Sequence, residues 1–327
     1  MELMYKPEGG LLGTADNTQA LSSPAAIERA AQTRRICEGL CTLCDHDMRL
    51  HVALGGYEGI IERDEVLYSS DGAPIKDIAV ITRVGKPICF HILGFDRLDG
   101  RTVVRLSRRS AQQECYAQYI SALRPGDILP AVVTHLEQFG AFVDIGCGIA
   151  SLLSVDCLSV SRISHPGDRL CCGMSIYTVV KAVDPLHRRV FVSQRELLGT
   201  WEENASRFAA GQTVAGIIRS VEHYGVFIEL APNLAGLAEI REESRSKIDL
   251  TVGHGATVYI KSIIPERMKI KLVLIDSYSD PVKPEAPRYF LPEGQTHVDR
   301  WVYSPKGCEK NIETIFAPAP LPSAAGC

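Results

Sequence analysis

Two aromatic pairs at matched spacing carry the most chemistry in this 327-residue chain. One lies in Phe139-Gly140-Ala141-Phe142-Val143-Asp144-Ile145-Gly146, and the other, 85 residues later, in Tyr224-Gly225-Val226-Phe227-Ile228-Glu229-Leu230. Read as strands, these segments alternate side chains between two faces. A bulge at Gly140 would bring Phe139 and Phe142 to one surface and leave Val143 and Ile145 to a core. Paired rings on an open sheet face stack on unpaired bases, at roughly 1–3 kcal/mol per base. The plainer alternative is that all four rings are core residues. The recurrence in register favours the surface.

Cations recur beside these rings. They form three groups: Arg97, Arg101, Arg105, Arg108 and Arg109; Lys181, Arg188, Arg189 and Arg195; Lys261, Arg267, Lys269 and Lys271. Each group falls on a closing hairpin, where contact with a phosphate track is the chemical expectation and a solvated face the bland one. Glu222 and Glu229 limit how basic the surroundings become.

Other chemistry is thinner. Cys37, Cys41, Cys44 and His46 offer four ligand types within ten positions, as a zinc site requires. Against zinc, Cys37 and Cys41 fall in an alternating strand pattern and no second Cys-x-x-Cys follows. Buried thiols are the stronger reading. Eleven cysteines without a leading secretory pattern point to reduced thiols. No nucleophile stands with a base at useful spacing and no Gly-rich phosphate loop is present, so neither enzymatic turnover nor a cofactor or metal is expected.

Net charge is −4 with a pI near 6.2, which gives no global pull toward polyanions; any such binding must be local. No apolar run approaches the roughly 18 residues of a membrane span. A cytoplasmic protein without membrane contact is the expectation.

The rings must be positioned by strands. Residues 1–35 read as a flexible arm with a short helix from Ala25 to Arg35, capped by Ser23-Pro24. Residues 36–107 alternate as strands over Ile36–Thr42, Met48–Leu54, Ile78–Val84, Ile88–Gly94 and Thr102–Ser107, with a further strand starting near Glu58. Residues 108–124 read as a connector helix that stops at Pro125-Gly126. Residues 125–193 form a second strand-rich unit: Asp127–Thr134, Gly140–Gly146, Ala150–Ser154, Met174–Ala182 and Arg189–Ser193. Residues 194–210 carry a helical stripe of Leu197, Leu198, Trp201, Ala205 and Phe208. Residues 211–276 repeat the second unit, and the Pro-rich tail 277–327 is a poor candidate for a packed domain, although part of it is apolar enough to fold back.

A five-stranded unit of roughly 70 residues fits a small Greek-key barrel of the OB type. The second and third units resemble the S1-type RNA-binding domain. The resemblance is carried by Phe139 to Gly146, Ala150-Ser151-Leu152-Leu153, Val180 to Asp184 and Arg189 to Ser193, then by Tyr224 to Leu230, Ala235 to Glu239 and Ile270-Lys271-Leu272. The first unit matches more weakly, through Val52 to Gly56 and Glu58 to Ile61. The resemblance implies an all-β chain of three tandem five-stranded barrels joined by short helical connectors, a three-repeat relative of the bacterial ribosomal protein S1 family.

The resemblance also implies the site. In the family, RNA crosses two aromatics with a polar rim from the last hairpin. Carried over, the RNA-binding residues are Phe139, Phe142, Asp184, Arg188 and Arg189 in the second unit, and Tyr224, Phe227 and Lys269 in the third. Met48 and His51 take the ring positions of the first unit, which is expected to dock protein more than RNA. Ser154 and Glu239 stand where a His is common. Glu239 and Pro265 weaken the third site. The expected partners are single-stranded messenger RNA and the small ribosomal subunit. The alternatives are a protein-interaction adaptor and an accessory RNA chaperone or decay factor using the same barrels.

Overall fold

A computed structural model describes residues 5–69, 73–98, 100–239, 249–281 and 285–316. Ser23 accepts from the Ala26 N–H and caps a helix at Pro24–Gln32 (α2), which follows a shorter helix at Ala15–Ala20 (α1). The first barrel is built from Cys37–Cys44 (β1), Leu50–Leu54 (β2), Tyr57–Ile61 (β3), Pro87–Leu98 (β4) and Arg101–Ser107 (β5). It closes in the order β1-β2-β3-β5-β4, with β3 and β5 parallel. The strand expected at Ile78–Val84 is instead a short helix, Asp77–Ile81 (α3). The closed barrel leaves no free edge for a sixth strand, and only Val80 of that helix is buried.

Ser107 caps the connector Arg108–Gln118 (α4) by accepting from the Ser110 N–H. The second barrel follows: Ile128–Glu137 (β6), Gly140–Asp144 (β7), Ala150–Ser154 (β8), Ser175–Asp184 (β9) and Arg189–Ser193 (β10). The third repeats it with Thr213–Glu222 (β11), Gly225–Ala231 (β12), Leu234–Glu239 (β13), His254–Ile264 (β14) and Lys269–Pro281 (β15). Both close with the same pairing order as the first. The chain is thus all-β, three OB-type barrels in tandem.

The second connector departs from a continuous helix. It makes a 3-10 turn at Arg195–Leu197, breaks, and resumes as the five-residue helix Trp201–Ala205 (α5). The break falls at Gly199, whose φ of +83° suits glycine. The Phe290 ring also lies 2.7 Å from where a Cβ would stand, so the tail occupies the space the helix would need.

Residues at both ends are packed. Tyr5 is buried in the core of the second barrel, against Tyr119 of the α4 connection. Residues 5–21 are therefore not the flexible arm expected: Glu8 and Glu38 hold them in place. The Glu38 carboxylate accepts from the Leu11 and Leu12 N–H groups at 2.9 and 2.8 Å. In the tail, Arg300–Val302 (β16) and Glu313–Ile315 (β17) form a hairpin that buries Trp301, Tyr303 and Phe316. The tail contacts the second barrel as well as the third: Asp127 bridges to His297, and Tyr177 stacks edge-on against Tyr289.

Buried ion pairs join the barrels. Glu8 grips Arg108 with both oxygens, at 2.7 and 3.0 Å. Its own N–H donates to Asp144 of the second barrel at 2.7 Å. Burial raises Asp144 to about 7, reinforced by the nearby Glu8 carboxylate and opposed by N–H donors from Glu8 and Gly146. At the other junction Arg169 and Arg219 share Glu229.

Candidate nucleic-acid interface

The two rings of each pair come together. Phe139 sits in the β6–β7 turn and Phe142 on the outer face of β7; their centroids are 6.1 Å apart, edge to face. Tyr224 and Phe227 repeat this at 6.2 Å. Phe139 and Tyr224 are each 55% exposed, while Phe142 and Phe227 are half-buried. Val143 and Ile145 face the core.

The cause is not the bulge expected at Gly140. Register from Gly140 to Asp144 against β8 is unbroken, and the irregularity lies on β6 between Val133 and His135. Gly140 is needed for close approach: a Cβ would lie 2.5 Å from the Leu153 carbonyl oxygen. Gly225 meets the Ala238 carbonyl in the same way, at 2.7 Å. The Aromatic-Gly-x-Aromatic pattern therefore sets a tight turn ring, a strand pressed against its neighbour, and a second ring on the open face.

The rim residues are placed unequally. Asp184 and Arg189 are direct cross-strand partners in the β9–β10 hairpin. The Asp184 carboxylate accepts from the Leu186 and His187 N–H groups and contacts His187 Nδ1 at 2.7 Å, so it organises the turn. These bonds, the His187 side chain first, hold its pKa below the ordinary 3.8. Arg189 is exposed at the start of β10. Arg188 is engaged by the first barrel and its connector: its guanidinium carbon lies 5.4 Å from the Tyr116 ring centre and 6.0 Å from that of Tyr68, whose hydroxyl it also meets. That is a cation–π contact between barrels. Lys269 is exposed at the start of β15.

Several grouped cations are occupied by protein partners. Arg108, expected beside phosphate, is 2% exposed and bound to Glu8. Arg109 pairs with Glu65, and Lys261 approaches Glu239 at 3.8 Å. Lys181 Nζ lies 3.0 Å from Cys157 Sγ and 4.0 Å from Asp156. Arg267, Lys269 and Lys271 are exposed.

In the first barrel His51 occupies the place of Phe142 and Phe227, since it pairs across β1 and β3 as they do across their own neighbours. It is held by Glu58 at 2.7 Å and Asp45 at 3.2 Å. Met48 takes a left-handed backbone, φ +63°, and packs against the first core. Cys37 and Cys41 are buried in that core and His46 is exposed beside Asp47. Among the described residues no three His, Cys, Asp or Glu side chains are grouped to hold a metal ion. Nor, among them, is any helix long and apolar enough to cross a membrane.

Residue 191 escaped the sequence reading. Phe191 lies on the outer face of β10, in line with Phe142, and the signal was its alternation with Val190 and Val192, which point inward.

Residues 122–195 match the S1 RNA binding domain model. The chain is thus a tandem array of OB-type barrels whose middle member matches that domain. It resembles small ribosomal subunit protein bS1. The protein of that name from Mycolicibacterium smegmatis is 27% identical over 98% of this chain and 77% of its own length. That from Rhizobium meliloti is 27% identical over 70% of this chain, and that from Leuconostoc lactis 31% identical over 57%. Against these two the chain spans less than half the relative's length, 41% and 45%.

Proposed function

We propose that the chain holds single-stranded RNA across its second and third barrels, as messenger RNA in the cytoplasm beside the small ribosomal subunit. One observation carries this reading: a ring pair with the same geometry recurs on the same face of two successive barrels. Aromatic faces accept any base, so binding is sequence-tolerant and non-covalent, and no turnover is involved. The RNA-binding residues are Phe139, Phe142 and Arg189 in the second barrel, with Asp184 shaping the turn, and Tyr224, Phe227 and Lys269 in the third. Arg188 serves by bracing that hairpin on the first barrel. The similarity to protein bS1 supports the ribosomal setting.

Buried ion pairs at both junctions favour a fixed array, so that one strand engaging the second barrel meets the third at high effective concentration. The first barrel has Met48 and His51 at the two ring positions and exposes Leu40, Leu43, Ile78 and Ile81. That supports its reading as a protein-docking module.

The test is fluorescence titration of labelled single-stranded RNA against Phe139→Ala with Phe142→Ala, and against Tyr224→Ala with Phe227→Ala. Each pair should cost about 1–3 kcal/mol per stacked base, with folding intact. Unchanged affinity in both would transfer the rings to a protein interface and make the chain an adaptor.

A further inference from the structure

We infer that Phe191 is a third stacking ring of the middle barrel. At the matching place in the third barrel Lys271 holds phosphate instead, so the two barrels grip one strand by different forces. The inference rests on the single-stranded RNA reading above.

The register places the residues. Across the outer face of the second barrel, His135 opposes Phe142, Phe142 opposes Leu152, Leu152 opposes Phe191, and Phe191 opposes Ala182. Neighbouring strands of a sheet lie roughly 4.7–4.9 Å apart. Phe142 and Phe191 therefore flank a single aliphatic residue. Phe142, Leu152 and Phe191 are half-buried, and none belongs to the core cluster or to the side chains packed against it. With Phe139 at the turn, they form an apolar strip across β7, β8 and β10.

The same row in the third barrel runs Ser220, Phe227, Leu237, Lys271, Ser262. Every position but one keeps its character class at the centre of the row: ring, aliphatic, then a cation in place of the ring. Lys271 is exposed, and Lys269 lies two residues earlier on the same face. In the second barrel the residue two before Phe191 is Arg189. Counting Phe and Tyr rings with the cations of β10 and β15, one face thus offers three rings and one cation, the other two rings and two cations.

The forces differ in their salt response. Stacking is nearly indifferent to salt, whereas each neutralised phosphate on a single strand contributes about −0.7 to the slope of log affinity against log salt. The experiment is titration of the full chain with labelled oligouridylate over a series of KCl concentrations. Phe191→Leu keeps an apolar side chain and guards the fold. It should weaken binding about fivefold to 100-fold with the slope unchanged, and Phe191→Tyr should bind as the parent does. Lys271→Ala should flatten the slope by about 0.7, and Lys271→Phe should flatten it equally while regaining affinity at high salt. If Phe191→Leu binds as the parent while Phe142→Ala does not, Phe191 is outside the site. If Lys271→Ala keeps the full slope, the phosphate role is overturned. If the parent chain and Phe142→Ala bind alike, it is the underlying RNA reading that fails.

Discussion

Arg169 meets Glu229 in a two-point ion pair, Nη1 to Oε1 at 2.5 Å and Nη2 to Oε2 at 2.6 Å, across the junction of the second and third barrels. Arg219 adds a further donor to the same carboxylate at 2.8 Å, and Ser159 accepts from Arg169. Such a group is costly to break because the surviving charges stay buried. It also fixes geometry: Val160 N–H donates to the Asn233 side chain beside it, and Tyr303 of the tail hairpin donates to the Asn233 carbonyl.

Glu229→Gln leaves two buried guanidinium groups on a neutral acceptor, and should cost about 3–5 kcal/mol in urea unfolding. The pH dependence follows the same carboxylate. Burial pushes Glu229 up, but Arg169 and Arg219 outweigh it and hold it below the ordinary 4.5. Its contribution is present above pH 4.5 and is lost as pH falls through the depressed folded value. Unfolding titrations should show the parent losing its advantage over Glu229→Gln below pH 4.5. A constant gap across that range would remove the carboxylate from the junction's stability.

His51 makes the opposite prediction for the first barrel. Burial lowers its pKa, but the bonds to Glu58 and Asp45 prevail and raise it above 6.5. The stability it contributes is complete below pH 6.5 and disappears as pH rises through the folded value. His51→Gln should flatten this limb, read as Tm of the full chain between pH 5 and 9. Imidazole shifts followed by NMR should give a pKa above 6.5, and a value below it would refute the assignment.

What was legible in the sequence was local. Strand alternation and the in-register repeat of Phe139-Gly140-x-Phe142 in Tyr224-Gly225-x-Phe227 foretold the barrels and the paired rings, because hairpin neighbours lie close along the chain. The same local view failed where distant residues decide. Ile78 to Val84 alternates like a strand, but barrel closure gives it no partner edge. The stripe from Leu197 to Phe208 reads as one helix, yet Phe290 occupies the space beside Gly199. Arg188 and Arg108 look like rim cations until Tyr68, Tyr116 and Glu8, each about 70–120 residues away in sequence, are packed against them. Phe191 was readable from its alternation alone, but its alignment with Phe142 needed the parallel β8–β10 register.

Gly140→Ala tests the close approach that seats the rings. The added Cβ would meet the Leu153 carbonyl oxygen at 2.5 Å and the Ser154 Cα at 2.9 Å, both backbone atoms that cannot rotate aside. The strand pair must separate, at a cost of about 1–3 kcal/mol by the rule for overpacking. RNA affinity should fall with it, because Phe139 and Phe142 flank the displaced position. Gly56→Ala is the control, since nothing lies within 4 Å of its new methyl. Equal melting temperatures for the two variants would show that β7 and β8 accommodate the methyl.

Trp301→Ala tests whether the tail is part of the folded body. Trp301 is 7% exposed, belongs to the third core and tilts against Tyr303 at 5.6 Å between ring centres. Tyr303 in turn accepts the Trp201 N–H on its carbonyl at 3.0 Å, so the hairpin holds α5. Removing a buried Trp side chain costs about 3–5 kcal/mol, the transfer term plus the cavity. The hairpin should then open, and limited proteolysis should cut within 285–316 in the variant well before the parent. Tyr289 anchors the other end on the second barrel and Phe290 on the connector, so loosening should spread to Tyr177 and Gly199 and be visible as faster amide exchange there. Proteolysis and exchange identical to the parent would mean that the third barrel holds its shape, and α5 its seat, without the tail.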